Sequence, residues 1–219
     1  MVRASWLFLC CAILAWARDA GSSAIMIKPD AEQCQDYMTS AGSAGELRAR
    51  ADEIQFMPLS EGEFSGYYVR LVEAYASTLV ESGLCADFKQ ALNRSRKTID
   101  SLLPNGIATK GQFLFHIQEG GGQRVGLIWY SEFVPNKGSA WLCDILIEPR
   151  FRRQGYARAA LKKMESHLRS IGQNRVGLNT FHWNTAAIRL YESLGYVVIG
   201  TILQANSEKI GSYQFSKDL

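Results

Sequence analysis

The stretch that most restricts what this chain can fold into runs from Trp141 to Ile171. Trp141-Leu142-Cys143-Asp144-Ile145-Leu146-Ile147 is an apolar run broken by one carboxylate, the pattern of a mostly buried strand. Ala157, Ala160, Leu161, Met164, Leu168 and Ile171 then recur at three- and four-residue spacing, which predicts an amphipathic helix. Between them lies Arg150-Phe151-Arg152-Arg153-Gln154-Gly155-Tyr156, which is short, basic and glycine-containing. Strand, tight turn and helix in that order direct unpaired backbone N–H groups and the positive end of a helix macrodipole at one point, and such a point suits phosphate. Gly155 allows a ligand close to the backbone, Ala157 keeps the first turn uncluttered, and Arg150, Arg152 and Arg153 add fixed positive charge. Taken alone, the same residues also describe an ordinary strand-to-helix loop with solvated arginines.

A second segment adds to this. Arg152-x-x-Gly155-x-Ala157 resembles the Arg/Gln-x-x-Gly-x-Gly/Ala signature of the GNAT superfamily of acyl-CoA-dependent N-acyltransferases. Downstream, Asn184-Thr185-Ala186-Ala187-Ile188-Arg189-Leu190-Tyr191-Glu192-Ser193-Leu194-Gly195-Tyr196 is similar to that family's Asn-x-x-Ala-x-x-Leu-Tyr-x-x-x-Gly-Phe/Tyr segment. The resemblance covers roughly Ile54 to Leu219. Ser101 to Thr109 and Cys143-Asp144-x-x-Ile147-Glu148-Pro149 are further similar to a small bacterial branch, the YycN-like proteins. One departure is Arg153, which stands where glycine is common; its side chain is expected to point outward.

The resemblance implies an α/β fold of GNAT type: a single domain with a mixed, mostly antiparallel central sheet flanked by helices. It implies acetyl-CoA as cosubstrate, with the pyrophosphate gripped by Arg152, Arg153, Gln154, Gly155, Tyr156 and Ala157. The strand Trp141–Ile147 is expected to bond the pantetheine arm, with Ile145 or Ile147 offering an N–H to the acyl carbonyl. It also implies that the loop between the first two helices borders the acceptor site, and that the central strand parts from its neighbour.

Composition bounds the alternatives. At 219 residues with 47% hydrophobic content, the chain holds one good-sized core and an extra segment. A net charge of +3 makes no case for a nucleic-acid partner. Cys10, Cys11, Cys34, Cys85 and Cys143 are irregularly spaced, and His116, His167 and His182 form no ligand pattern. No disulfide framework and no metal site is therefore expected. The partners expected are acetyl-CoA and an amine acceptor, with the protein a monomer or homodimer and no stable membrane insertion.

In chain order, Met1 to Ala17 is a signal-like apolar segment: Arg3 precedes a short apolar run and Ala15-Trp16-Ala17 fits a cleavage site. The alternative is a start codon placed too far upstream, which suits a cytoplasmic protein using a cytoplasmic metabolite. Residues 18–53 read as a flexible linker through Ser40-Ala41-Gly42-Ser43-Ala44-Gly45. The domain, 54–219, opens with a strand Ile54–Met57 that Pro58 ends as an edge. Tyr68, Leu71, Val72, Tyr75 and Leu79 predict one helix, stopped at Gly83, and Phe88, Leu92, Ser95, Ile99 and Leu102 a second. Phe113, Phe115 and Ile117, a glycine-rich turn, then Val125, Leu127 and Trp129 predict a hairpin. Val176–Thr180, a helix from Asn184, and a last strand pair at Val197–Ile202 and Tyr213–Phe215 complete the chain.

For the chemistry, Tyr191 is the candidate general acid for the departing thiolate, since a phenol with a pKa near 10 can donate there. It lies seven residues after Asn184, nearly two helical turns, so both face the same way. Its other reading is a core residue beside Ile188 and Leu194. Asn184 is an N-cap, a partner for the pantetheine amides, or both. Asp144 is the candidate base, or else a structurally bonded carboxylate; Glu148 is the runner-up. Cys143 carries no pattern for a nucleophile, so direct transfer is the simpler scheme. The function class opposed to an N-acetyltransferase is a CoA-binding sensor or interaction module without turnover. A chain beginning at Asp52 is expected to fold and to bind acetyl-CoA in calorimetry; unfolding of that chain alone would move the domain boundary upstream.

Overall fold

The computed structural model describes residues 53–81, 83–132, 138–204 and 208–219. The expectations for residues 1–17 and for nearly all of 18–53 lie outside them. Seven strands and four α-helices follow in the order β1 (Gln55–Pro58), α1 (Glu61–Glu81), α2 (Phe88–Leu102), β2 (Gln112–Gln118), β3 (Arg124–Glu132), β4 (Ser139–Ile147), α3 (Tyr156–Ser170), β5 (Arg175–Phe181), α4 (Thr185–Ser193), β6 (Val197–Leu203) and β7 (Ile210–Asp218) among the described residues. They form one sheet in the order β1-β2-β3-β4-β5-β7-β6. Every pairing is antiparallel except β4 with β5, which α3 connects. This is the mixed, mostly antiparallel sheet flanked by helices that the resemblance implies.

Local chemistry starts the helices where the sequence allows. At α1, the Ser60 N–H donates to Glu63 and the Glu63 N–H donates back to the Ser60 hydroxyl, a reciprocal cap on two orphan donors. Asp87 caps α2 by accepting from the Gln90 N–H at 2.8 Å. On α1 the buried positions are Tyr67, Leu71, Val72, Tyr75 and Leu79. Tyr68, the expected start of that stripe, instead reaches across to α2, where its hydroxyl donates to Asp100 at 2.6 Å.

The sheet is covered on both faces. Helices α1 and α2 pack with Leu114, Leu127, Trp129 and Cys143 on one side. Helix α3 packs with Ile128, Tyr130, Ala140, Leu142, Val176 and Phe215 on the other. Burial on both faces explains why β3 is apolar almost throughout and not alternating. Two ends escape the expected burial: Phe88 opens α2 in solvent and Ile171 lies at the cap of α3, both exposed. Strand β6 closes one edge of the sheet and leaves Val197, Val198, Ile199 and Leu203 exposed.

Two features of β4 set up everything that follows. First, Trp129 lies opposite Asp144 while Tyr130 lies opposite Leu142, so Cys143 is an extra residue in β4. Such a bulge shifts the side-chain phase. Second, β4 pairs with β3 from end to end, but with β5 only at Ser139↔Arg175, Ala140↔Val176 and Trp141↔Gly177. Beyond Trp141 the two parallel strands part toward their carboxyl ends.

Gly126 is where β3 and β4 pass closest, because a Cβ there would lie 2.1 Å from the Leu146 carbonyl oxygen. No rotamer change relieves a clash with backbone. Gly126→Ala is therefore expected to destabilise the fold by about 3 kcal/mol, measurable by urea denaturation.

Candidate active site

The bulge decides where Asp144 points. Strict alternation from Leu142 would turn it under α3, with Ala140 and Leu142; with Cys143 inserted it faces α1 instead. There the Tyr67 hydroxyl donates to Asp144 Oδ2 at 2.9 Å, both residues being buried. Burial dominates the Asp144 carboxyl and pushes it up to about 7, against the downward pull of the Tyr67 hydroxyl, the Ile145 N–H and the Arg70 charge. The Tyr67 phenol is in turn raised by burial and by Asp144.

Tyr191 lies in the core on the opposite side, its ring 5.7 Å from that of Tyr196 and 6.0 Å from that of Phe215. Its phenol is raised first by burial and then by the charge of Asp144, which places the two candidate catalytic groups within each other's field across the sheet. Ile188 and Leu194 pack against the same cluster, so the core reading of the ring holds together with the nearness to Asp144. Asn184 caps α4, its side chain accepting from the Ala187 N–H at 3.3 Å.

The parted strands leave backbone groups without a strand partner. The Glu148 N–H donates to Val125 of β3 at 3.0 Å. Alternate residues of a strand direct their N–H groups to opposite sides, so Ile145 and Ile147 turn theirs toward the side β5 has left, where the Ile145 N–H meets the Asp144 carboxyl. The Ile147 carbonyl on that side accepts from Arg152 Nε at 3.0 Å. Each parted strand ends at the start of a helix, β4 at the turn before α3 and β5 at Asn184 before α4. The site thus lies at the carboxyl ends of a parallel pair, beside two helix N-termini.

Within the turn, Gly155 is left-handed at φ 93° and opens α3. Arg153 has φ 64° and is the one non-glycine with positive φ among the described residues. Glycine adopts that conformation without strain, whereas holding arginine there costs on the order of 1 kcal/mol. Its side chain is exposed, as expected. Gln154 Nε2 braces the turn on the Arg150 carbonyl at 2.9 Å. Tyr156 sends its side chain into the core, where its hydroxyl donates to buried Glu119. Ala157 is half-buried against α3's core face.

The remaining candidates sort themselves by contact. Glu148 is taken up by an ion pair with Arg150 at 3.3 Å. Cys143 Sγ lies 3.7 Å from the Ser131 hydroxyl, and its own S–H contacts the Trp141 carbonyl. Among the described residues, those of the loop between α1 and α2 do not line the cavity beside Asp144; α1 itself does, through Tyr67, Arg70, Leu71 and Ala74. Sequence reasoning missed Tyr67, although Tyr67, Leu71 and Tyr75 share one helical stripe that could have pointed to it. Among the described residues no three His, Cys, Asp or Glu side chains gather to hold a metal, and no helix is long and apolar enough to cross a membrane.

Known proteins are similar to this chain in sequence and in fold. The acetyltransferase (GNAT) family profile matches residues 80–196. Two relatives from Bacillus subtilis (strain 168) are similar over most of their own length. The uncharacterized N-acetyltransferase YdgE is 26% identical over 64% of this chain and 89% of its own. The uncharacterized N-acetyltransferase YycN is 28% identical over 65% of this chain and 92% of its own. The crystal structure of YycN superposes with a TM-score of 0.63 at 25% identity, over 71% of this chain and 99% of that one. The fold is also that of a spermidine N-acetyltransferase from Vibrio cholerae in complex with CoA and spermine, at a TM-score of 0.55 and 17% identity over 76% and 95% of the two chains.

The raised carboxyl has a thermodynamic consequence. Asp144 titrates near 7 when folded and near 3.8 in its ordinary state, so the folded protein holds this proton more tightly. Its contribution to stability is then fully present below about pH 4 and is lost as pH rises toward 7. Asp144→Asn removes that titration while keeping an acceptor for Tyr67. The melting temperature of the Asn variant relative to wild type should rise by several degrees between pH 4.5 and pH 8, a size set by about 2–4 °C per kcal/mol; a flat difference in calorimetry would contradict the raised carboxyl.

Proposed function

The chain belongs to the acetyltransferase (GNAT) family, in the branch that includes YycN, and on that premise we propose that it moves the acetyl group of acetyl-CoA directly to a primary amine of a small molecule, peptide or protein. The observation that carries this reading is the parting of β4 from β5 beside the N-termini of α3 and α4. It leaves strand N–H groups, a helix dipole and a basic turn converging on one cleft.

Acetyl-CoA supplies the activated acyl group; the amine nitrogen bonds to the thioester carbon as the carbon–sulfur bond breaks. In this scheme the N–H groups of Gln154, Gly155, Tyr156 and Ala157 and the Arg153 side chain receive the pyrophosphate. Arg152, its side chain committed to the Ile147 carbonyl and the cavity beside Asp144, adds positive charge at the base of the turn. Ile147 offers its N–H to the acyl oxygen, where negative charge develops; Ile145, the alternative donor, has its N–H on the Asp144 carboxyl. Asp144 takes the proton that the amine loses. A carboxyl near 7 is suited to that task, since a base works best when its pKa approaches the operating pH. Tyr191 gives its phenolic proton to the leaving thiolate, and burial keeps that phenol protonated until then. In the same scheme Asn184, besides capping α4, meets the pantetheine amides. Proximity of the two reactants in the cleft contributes several kcal/mol, up to about 7–11 in well-oriented systems.

Tyr191→Phe tests the scheme. The ring still fills its site, so stability and acetyl-CoA affinity should hold, while kcat falls by roughly 10²–10⁴. Unchanged turnover would reduce Tyr191 to a core residue, and a parallel loss of kcat and affinity would make it a cofactor contact. Acetyl-CoA binding with no CoA release from any amine would favour a non-catalytic CoA-binding module.

A further inference from the structure

On the α1 side of the sheet, a cavity of about 330 Å³ opens beside Asp144, lined among others by Tyr67, Arg70, His116, Glu148 and Arg152. That size is at the small end for ligand pockets and matches a metabolite better than a folded partner. Tyr67 and Arg70 are three residues apart on α1 and share a face. Tyr67 holds Asp144 at the inner end. Arg70 is exposed, at the cavity's rim, and its positive charge reaches Asp144, Tyr67 and His116.

The balance of charge in this cavity is positive. Glu148 is already engaged by Arg150. His116 lies 3.4 Å from Glu63, a carboxylate that Arg124 already neutralises. Burial and the Arg124 charge outweigh the upward pull of Glu63 and keep His116 below its ordinary value, hence neutral near pH 7. The Asp144 carboxyl is part protonated there. Against these stand two guanidiniums. Arg152 is anchored by Nε on the Ile147 carbonyl, while its Nη2 is shut off from solvent with no hydrogen-bond partner among the described residues. A buried guanidinium N–H without an acceptor is costly, and a carboxylate is the group that meets it best. A second ammonium in the same place would face repulsion.

Resting on the transfer reading above, we infer that the acceptor is a small amine that also carries a carboxylate, with its amine beside Asp144 and its carboxylate held by Arg70 and Arg152. Amino acids have this chemistry, and polyamines do not.

The test compares α-, β- and γ-amino acids with their amides, their decarboxylated amines and spermidine, following CoA release at saturating acetyl-CoA. The best amino acid should exceed its own amide and amine in kcat/KM by roughly 10- to 100-fold, the size of one charge-assisted contact. Arg70→Met should collapse that ratio toward one and leave acetyl-CoA affinity unchanged, and Arg70→Lys should restore part of it. Equal or better rates with amides or spermidine, or a ratio indifferent to Arg70→Met, would overturn the assignment. If no amine is turned over, calorimetry of the same compounds on the CoA-saturated protein decides the matter separately: tighter binding of the amino acid than its amide upholds the carboxylate site while the transfer reading fails, and equal binding overturns it.

Discussion

Strand β4 is asked to satisfy two neighbours that want different things from it. Strand β3 holds it along its whole length, and β5 holds it for three residue pairs before turning away. The backbone groups of β4 beyond Trp141 therefore lack a strand partner on one side inside a folded domain. Buried N–H and C=O groups are costly to leave unpaired, so a cleft of this kind persists only where the rest of the sheet enforces it. Here the enforcement comes from the antiparallel ladder of β5 with β7 on one flank and of β3 with β2 on the other. At the point of divergence, the Trp141 ring fills the space over Gly177, where a Cβ would come within 2.4 Å of it.

The single extra residue at Cys143 then divides the chemistry between the two faces of the sheet. Ile145 and Ile147 continue the core under α3, while Asp144 and Leu146 turn to α1. A carboxylate so placed would be a liability without a donor, and the Tyr67 hydroxyl supplies one from α1. Its burial still outweighs that bond, and the carboxyl rises to about 7 as a result. Structural economy would place an apolar residue at this position. A buried acid next to a cavity is the kind of local exception that functional sites contain.

Arg153 is a second exception. A left-handed backbone at a non-glycine residue is unfavourable on its own, and the turn that contains it is braced from within by Gln154 and Arg152. Placing arginine there adds an exposed positive charge at the mouth of the turn. The same site thus combines rigid backbone donors with side-chain charge, and both act on anions.

The elements of this fold were legible because each is a local pattern. The stripe of α3, the glycine turn before it and the Asn184 cap depend on residues within a few positions of one another, and all appear where the sequence puts them. The motif pair Arg152–Ala157 and Asn184–Tyr196 likewise pointed to one family. What no local pattern could express is how distant segments meet. The choice of Tyr67 over Tyr68 as the inward residue depends on which face of α1 the sheet covers. The direction of Asp144 depends on a bulge visible only in the register of β3 against β4. The order that inserts β7 between β5 and β6, and the parting of β4 from β5, follow from long-range pairing. By itself the sequence determined the elements, their caps and the residues able to do chemistry; tertiary structure alone decided which of those residues face one another, because strand pairing is a contact between distant parts of the chain.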